Sequence, residues 1–445
     1  MDAAAEIGPW VGEVTGARVA RVERIALGFS RGTFLVGCDD GRELVARLDV
    51  PDGPLSGTPL SLTRECEVHE ALRDAPLPRA ALVAAAPDGS ALLFEKAPGT
   101  HDLAALSRPD RETVLDDYLD RIADLHLMPV ADLPLRRDAD PLDAELGRWE
   151  EALTTRARRS WPLLRLAFAA LRRHAPRPAA DELVLCHGDV GPRNFLHDGR
   201  RVTALLDWEF WHVGEPHDDL AWWIWRAHER TSDCGDLGAQ LARWSQRTGR
   251  PVDGPRIDYY QVLVKLRSVV VAVVALDNDA RGVDHSVLLP IVWTLSYQIA
   301  RDLLHLDGED LDLGWDVDEE PSAAFGDEAR HFLGRDVTEV LVPGSGSAGA
   351  RRQAAAVAVY AEHLAAVARL GPSLVRADAA DLRRFAGVTD PGEIDALVAS
   401  GERSRALTAM FGRQAHRRMH LWPAALARVP TAGIRVADLT PAAPR

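Results

Sequence analysis

Lysine is almost missing from this sequence, and arginine supplies nearly all of the positive charge. Lys96 and Lys265 are the only lysines in 445 residues. This usage is typical of an arginine-rich sequence from a GC-biased genome and does not by itself indicate a function. It does mean that a site that ordinarily uses a lysine must use another cation here.

Cysteine is scarce too. The four cysteines, Cys38, Cys66, Cys186 and Cys234, form no C-x-x-C pair. Their spacing therefore gives little support to a zinc site or to a thioredoxin-like redox centre. Scattered single cysteines in a chain of this length indicate a reducing compartment, and we expect a cytoplasmic protein.

Long apolar runs are absent as well. The stretch Val262–Leu276 is interrupted by Lys265 and Arg267, so it falls short of the about 18–20 apolar residues that span a membrane. It predicts a buried helix. The first residues, MDAAAEIGPWVGEV, lack a basic segment followed by an apolar run, so we expect no signal peptide. We expect no membrane partner.

Basic residues are outnumbered, with 52 Lys and Arg against 67 Asp and Glu and a net charge of -15. This balance argues against a nucleic acid as the partner. The content of 47% hydrophobic and 27% charged residues is that of a folded globular protein. The length predicts two or three domains.

The pattern along the chain divides it into four regions. Residues 1–98 read as strands with one helix at about Leu62–Asp74, and residues 99–306 are mainly helical with a small β-rich insert. Residues 307–327 form an acidic linker, and residues 328–445 form a helical C-terminal region of unknown role.

Some local predictions are specific enough to be checked. Alternation of apolar and polar residues predicts a strand over Glu13–Ile25. Helical spacing predicts one long helix over Asp143–His174 and further helices at Glu328–Val342, Arg351–Leu370 and Arg403–Ala425.

Unusual polar residues are concentrated between Leu185 and Trp223. His187-Gly188-Asp189 follows a short predicted strand, Asn194 comes five positions after that aspartate, and a second strand ends in Asp207-Trp208-Glu209. One carboxylate can accept a proton from a substrate hydroxyl, while a carboxamide and a second carboxylate can hold Mg²⁺ against nucleotide phosphates. The combination suits phosphoryl transfer.

With Gly214–Ala221 (GEPHDDLA), these motifs resemble the aminoglycoside phosphotransferase/choline kinase-like family, and most of all the kinase-like domain associated with acyl-CoA dehydrogenases. The resemblance extends over about Val14 to Leu306. It implies an α+β, protein-kinase-like bilobal fold: a small β-rich N-lobe over residues 1–98 that binds the nucleotide, and a mainly helical C-lobe over residues 99–306. The helical region that follows is extra to this fold.

The resemblance also implies roles for the motif residues. Asp189 is the catalytic aspartate, and Asn194 and Asp207 are the Mg²⁺ ligands. His187 is grouped with Asp189 in the catalytic loop, where it either orients the loop or is a core histidine bonded to backbone. Glu209 either lies near the metal or braces the loop.

Two more motif positions are compared with the family. Asp219 matches the aspartate that ties down the catalytic loop, although capping of its own helix explains it as well. The family usually has aspartate where this chain has Glu215.

The resemblance places nucleotide-binding residues in the N-lobe. Ser30 and Gly32 lie in the turn that would cover the phosphates, and Arg47 stands where protein kinases have a lysine. Arginine keeps its charge and can contact phosphate oxygens in a bidentate manner. Glu65 is the expected ion-pair partner of Arg47, and Glu67 is the competing candidate.

The segment between the lobes completes the expected site. Glu95 and Ala97 belong to a hinge whose backbone would bind the adenine edge. Arg193 either contacts substrate or phosphate or faces solvent. Trp211 is expected in the core, with the lining of an acceptor pocket as the alternative.

The sequence thus predicts a kinase that uses ATP, with GTP as the alternative nucleotide, and Mg²⁺. The acceptor would be a hydroxyl of a small molecule, either a hydroxyacyl compound or an aminoglycoside-like compound. The competing hypothesis is a nucleotide-binding pseudokinase whose helical C-terminal region recruits a partner. Homodimerisation or a protein partner through that region is a further expectation.

Overall fold

The computed structural model describes residues 3–25, 31–50, 52–56, 58–135, 138–229, 234–278, 284–313, 348–426 and 433–436. The elements of the first half are α1 (Ala3–Thr15), β1 (Val19–Arg24), β2 (Gly32–Cys38), β3 (Glu43–Leu48), α2 (Leu62–Ala71), β4 (Leu82–Ala85), β5 (Ala91–Glu95), α3 (Arg108–Leu127), α4 (Pro141–Arg156) and α5 (Pro162–His174).

The elements of the second half are β6 (Val184–Cys186), β7 (Phe195–His197), β8 (Val202–Leu205), β9 (His212–Gly214), α6 (Pro216–Trp223), a π-helical turn (Ile224–Glu229), α7 (Leu237–Thr248), α8 (Gly254–Asp277), α9 (His285–Leu306), α10 (Ala348–Asp381), α11 (Ile394–Ser400), α12 (Ser404–Met419) and α13 (Pro423–Leu426).

The N-terminal part is a five-stranded antiparallel sheet in the order β1-β2-β3-β5-β4. The prediction of a strand over Glu13–Ile25 is wrong at its start, because Glu13 lies in helix α1, which ends at Thr15, and β1 begins only at Val19. Ile7 and Val11, four residues apart, put an apolar stripe of α1 into the core of this sheet. Gly16 then ends the helix with φ of +70°.

Helix α2 packs beside the sheet and begins at a side-chain cap. The hydroxyl of Ser61 accepts a hydrogen bond from the backbone N–H of Arg64. The buried face of α2 contains Glu65, Val68 and His69. Two buried polar groups on one face of a short helix indicate that this face meets charged partners as well as the apolar core.

The rest of the kinase-like part is helical, and its central element is α8. Most residues of α8 are buried, and the helix packs against α4, α6 and α9. The prediction of one helix over Asp143–His174 is wrong. Helix α4 ends at Arg156, and Pro162 begins α5, where proline suits the first turn of a helix but not its interior.

Two short antiparallel pairs, β6 with β9 and β7 with β8, lie between these helices and the sheet. Single bridges connect Thr100 to His197 and Arg79 to Leu205, so the β7–β8 hairpin is joined to the end of the N-terminal part. The loops that follow β6 and β8 carry the sequence motif.

The C-terminal helices pack on the kinase-like part. Helix α12 lies against α9, and Val436 is buried in the main core beneath α8. The helix predicted over Arg351–Leu370 extends to Asp381. The helix predicted over Glu328–Val342 and most of the acidic linker lie outside the described residues.

Two helical stretches are long and apolar enough to cross a membrane by length and composition alone. They are Gly254–Asp277, which is α8, and Gln353–Ala386, which is mostly α10. In the most apolar part of the first, 89% of residues are buried in the protein, as expected of the core helix that the sequence predicts. In the second stretch the share is 22%.

Candidate active site

A cavity of about 760 Å³ lies between the sheet and the helical part. The sheet contributes Thr33, Leu35 and Val45, and the connection between the two parts contributes the segment from Glu95 to Ala97. The motif residues Asp189, Asn194, Asp207 and Glu209 line the opposite side. The fold therefore brings residues separated by more than a hundred positions to one cleft.

Asp189 follows β6 on a buried loop. Its Oδ2 accepts a hydrogen bond from Asn194 Nδ2 at 2.6 Å, and its Oδ1 lies 2.5 Å from Arg226 Nη2. Burial raises the pKa of Asp189 to about 7, although the charge of Arg226 acts in the opposite direction. A carboxylate with a pKa near neutrality is suited to accept a proton from a substrate hydroxyl.

The loop of Asp189 is held from behind by Asp219. Its two carboxylate oxygens accept hydrogen bonds from the backbone N–H groups of His187 and Gly188, both at 2.8 Å. Gly188 has φ of +78°, and a Cβ there would lie 2.0 Å from the carbonyl oxygen of Phe210. Only glycine fits this approach. Asp219 ties down the loop as the resemblance implies, and it does not cap α6, which begins at Pro216.

His187 is fully buried and does not line the cavity. Its Nε2 donates to the carbonyl oxygen of Leu206 at 2.8 Å, and its Nδ1 accepts from the backbone N–H of Asp189 at 3.3 Å. Burial lowers the pKa of this imidazole, which keeps it neutral. The geometry is that of a positioning residue that joins the two motif loops, rather than of a group that touches substrate.

Asp207 follows β8 in a left-handed backbone conformation, with φ of +60°. This conformation costs a residue other than glycine about 1–3 kcal/mol and is concentrated at functional sites. The Oδ1 of Asp207 accepts a hydrogen bond from Arg47 Nη1 at 2.8 Å, and about half of its side chain is exposed to the cavity side.

Asn194 and Asp207 supply oxygen donors suited to Mg²⁺. This ion takes one or two protein carboxylates and completes its shell with water and substrate phosphates. Asn194 uses its Nδ2 for both contacts to Asp189, which assigns its carboxamide oxygen to the acceptor role. Within the residues that the structure describes, no cluster of three His, Cys, Asp or Glu could hold a metal ion.

Arg47 lies on β3 at the centre of a carboxylate cluster. Besides Asp207, it contacts Glu65 at 3.1 Å and Glu209 at 3.4 Å. Burial lowers the pKa of Arg47, but the three carboxylates together raise it above its ordinary value. For Glu65 the effect of burial is larger than that of its partner: burial raises its pKa to about 7, although the charge of Arg47 acts in the opposite direction. The sequence prediction of a Glu65–Arg47 ion pair is confirmed, and the competing Glu67 is exposed.

Other predicted positions are distributed as follows. Glu95, Ala97 and Arg193 line the cavity, and Gly32 is the first residue of β2. Ser30 lies outside the described residues. Trp211 is a core residue, as the first of the two interpretations expects: its Nε1 donates to the carbonyl oxygen of Arg64 at 2.6 Å.

Sequence reasoning missed three polar residues of this site. Arg31 is buried and lies 2.6 Å from Asp49 and 3.7 Å from Glu209. His69 packs against Phe94 in the same cavity wall, and burial lowers its pKa to about 3. The third is Arg226. Arg31 follows the glycine turn and could have been considered there, whereas no local signal marks His69 or Arg226.

Comparison with known proteins gives one family. The profile of the phosphotransferase enzyme family (APH) matches residues 21–256, which is more than half of the chain. The chain is 31% identical over 197 residues to an aminoglycoside 3'-phosphotransferase of Streptomyces fradiae, covering 42% of this chain and 72% of that protein. It is 27% identical over 209 residues to acyl-CoA dehydrogenase family member 10 of Mus musculus, which covers 44% of this chain and 19% of the mouse protein.

Solved structures show the same fold. A putative aminoglycoside phosphotransferase from Ralstonia eutropha superposes with a TM-score of 0.53 at 20% identity, covering 68% of this chain and 98% of that one. The choline kinase LicA from Streptococcus pneumoniae superposes with a TM-score of 0.52 at 17% identity, covering 68% and 99%. LicA has also been solved in complex with AMP. The predicted protein-kinase-like fold is confirmed.

Proposed function

The chain belongs to the phosphotransferase enzyme family (APH), whose relatives are phosphotransferases acting on hydroxyl acceptors, and from this membership we propose an ATP- and Mg²⁺-dependent kinase of small molecules. The observation that carries the proposal is the meeting of Asp189, Asn194, Asp207 and Arg47 at one cavity. A binding module has little use for a buried carboxylate that is hydrogen-bonded to a neighbouring carboxamide.

In the proposed reaction, the acceptor hydroxyl oxygen forms a bond to the γ-phosphorus of ATP. The bond between that phosphorus and the β,γ-bridging oxygen breaks, ADP leaves with the bonding pair, and the hydroxyl proton passes to Asp189. Asn194 orients Asp189 through the 2.6 Å hydrogen bond. Positioning and charge neutralisation supply most of the catalysis in such transfers.

Asn194 and Asp207 are the residues that would hold Mg²⁺, which neutralises phosphate charge when it is bound. Arg47 replaces the lysine of protein kinases. Its guanidinium is shared among three carboxylates, and nucleotide phosphates would take over part of this pairing. Arg31 offers a second buried cation nearby.

The nucleotide would bind between the sheet and the hinge. Glu95 and Ala97 line the cavity where an adenine edge could meet backbone groups, and LicA, which has the same fold, binds AMP. We assign residues 1–98 as the N-lobe and residues 99–306 as the C-lobe. We also propose residues 307–327 as a linker and residues 328–445 as an additional domain, of which the described part is mainly helical. A protein partner or a homodimer through this domain is a further proposal.

The test is a screen of hydroxyl compounds with Mg-ATP, in which the product is detected by the added mass of one phosphate. Asp189→Ala should abolish turnover of any accepted compound and retain Mg-ATP binding, because Asp189 takes the proton and does not hold the nucleotide. Turnover at the wild-type rate by Asp189→Ala would refute the assigned role. Nucleotide binding without turnover of any acceptor would favour the pseudokinase alternative.

A further inference from the structure

Arg226 lies in the acceptor half of the cavity, and no sequence motif predicts it there. It belongs to the π-helical turn Ile224–Glu229 that follows α6. Such turns insert an extra residue into a helix and are frequent at functional sites. Here the turn directs Arg226 toward the loop of Asp189.

The guanidinium of Arg226 is fixed by its surroundings. It lies 5.1 Å from the centre of the Trp222 ring and 5.7 Å from that of Trp225. On the other side, a Cβ at Gly191 would lie 2.8 Å from Arg226 Cδ. Aromatic rings on one side and a glycine on the other form a slot that fits an arginine. Its side chain keeps 27% exposure.

Arg226 occupies the oxygen of Asp189 that Asn194 leaves available. Nη2 of Arg226 is 2.5 Å from Oδ1, while Oδ2 accepts from Asn194. This ion pair stabilises the charged form of Asp189 and makes it a weaker acceptor for the proton of a hydroxyl. An anionic group on the substrate that shares the Arg226 guanidinium would weaken the pair and restore the basicity of Asp189.

The remaining charges of the cavity point the same way. Its carboxylates, within the part of the chain that the structure describes, are Glu65, Glu95, Asp189, Asp207 and Glu209. Three of them surround Arg47, and Asp189 pairs with Arg226. Glu95, at the hinge, is not among these pairs. Arg193, which is exposed, also lines the cavity and adds positive charge.

We propose that the acceptor of this phosphotransferase is an anionic hydroxyl compound, whose carboxylate or phosphate group pairs with Arg226 and releases Asp189. Val271 and Phe210 also line the cavity and offer apolar surface to the carbon skeleton of the acceptor. The inference rests on the proposed function and names its substrate class. On this proposal, cationic amino alcohols and aminoglycosides are poor acceptors, because they would place like charges beside Arg226.

The experiment compares matched acceptors with the full-length protein saturated with Mg²⁺ and nucleotide. One arm contains hydroxycarboxylates, a second contains phosphate esters of polyols, and a third contains the methyl esters of the first arm and amino alcohols of equal length. Turnover is measured with ATP, and acceptor binding is measured as a thermal shift with a non-hydrolysable analogue. The first two arms separate a carboxylate from a phosphate as the anionic group.

A charge-assisted pair gives an advantage of about tenfold to a hundredfold. We expect kcat/KM for the anion to exceed that for its methyl ester by this factor. Arg226→Gln should reduce the ratio to about one, whereas Arg121→Gln should leave it unchanged. Arg121 is a matched control, because it is similarly exposed (26%) and pairs with Asp117 and Asp124 on α3, outside the cavity. A purely structural role of Arg226 would lower both activities together and keep the ratio.

The outcomes separate the two proposals. Mg-nucleotide binding with no preference for anions, in turnover or in binding, overturns the acceptor class and leaves the kinase assignment standing. A preference for the anion over its methyl ester that persists in Arg226→Gln also overturns the proposed acceptor class. Failure of the wild-type protein to bind Mg-nucleotide refutes the proposed function itself.

Discussion

Several charged side chains of this site are buried, and each of them is stabilised by opposite charges on its neighbours. Glu65 is almost fully buried between Arg47 and Arg31, at 3.1 Å and 3.9 Å. Arg47 and Glu65 were predictable because the family resemblance implies a cation on the strand after the glycine turn and a carboxylate partner on the helix that follows. Arg226 was not, because it lies on a π-helical turn that leaves no periodic signal. Arg31 follows the glycine turn and was missed there.

Glu65→Gln is expected to destabilise the protein and to weaken nucleotide binding. Removal of one partner from a fully ionised buried pair costs about 3–5 kcal/mol. Burial raises the pKa of Glu65 to about 7. Asp207 and Glu209 also remain beside Arg47, so we expect a smaller cost of about 1 kcal/mol near neutral pH. Glu67→Gln on the exposed face of the same helix is the control and should change neither quantity. Chemical denaturation and nucleotide titration measure both effects. Equal behaviour of the two variants would contradict the assignment of Glu65.

His69 predicts a dependence of stability on acidity. Its pKa is about 3 in the folded protein because it is buried, against about 6.5 in an unfolded chain. The unfolded state therefore takes up a proton first. The stabilisation is complete above about pH 6.5 and declines below it, by about 1.4 kcal/mol per pH unit, until the folded pKa is reached.

Replacement of His69 by leucine should remove this contribution. Between about pH 6 and pH 4, the free energy of unfolding should depend less on pH in His69→Leu than in the wild-type protein. The difference in slope should be about 1.4 kcal/mol per pH unit, which corresponds to one proton. Denaturant titrations at several pH values measure the slope. An unchanged slope would mean that His69 titrates normally in the folded protein.

Elements show where sequence periodicity succeeds and where it fails. Helices α3, α7, α8 and α9 were predictable because long apolar stripes specify them. The start of the chain was not, because the strand alternation assigned from Glu13 onward overlaps the last turn of α1, which ends at Thr15. The division between α4 and α5 is marked by Pro162, but the apolar spacing continues across it. A local sequence pattern predicts the type of an element better than the residues at which the element begins and ends.

The contact of α12 with α9 gives a prediction at this scale. A Cβ at Gly412 would lie 2.8 Å from Ala300 Cβ and 2.9 Å from Leu311 Cδ2, whereas one at Gly147 in α4 meets no atom within 4 Å. Gly147→Ala should stabilise the protein by about 0.5–1 kcal/mol through helix propensity. Gly412→Ala should destabilise it by about 1–3 kcal/mol through overpacking. Thermal unfolding compares them, and stabilisation by both would contradict the close packing of α12.

The whole molecule combines a kinase-like part with C-terminal helices that lie beyond the residues matched by the family profile. The kinase-like part was predictable because three ordered motifs in residues 187–221 specify a known arrangement of loops. The C-terminal helices carry no chemical motif, so the sequence indicated their helicity but not that α12 covers α9 or that Val436 enters the main core. Those contacts depend on surfaces that only the folded chain creates.

The central claim is that Asp207 forms part of a metal-dependent nucleotide site. A ligand that binds only the folded state raises the melting temperature, with about 2.7 kcal/mol of stabilisation at a hundred times the Kd. The most direct measurement is the thermal shift of the wild-type protein, Asp207→Asn and Asp74→Asn with ATP and GTP, each with and without Mg²⁺. Asp74 is the control, since it is exposed and outside the cavity.

We predict a shift that requires Mg²⁺ in the wild-type protein and in Asp74→Asn, and that is lost in Asp207→Asn. The absence of a shift with either nucleotide in the wild-type protein, or a full shift in Asp207→Asn, would contradict the account.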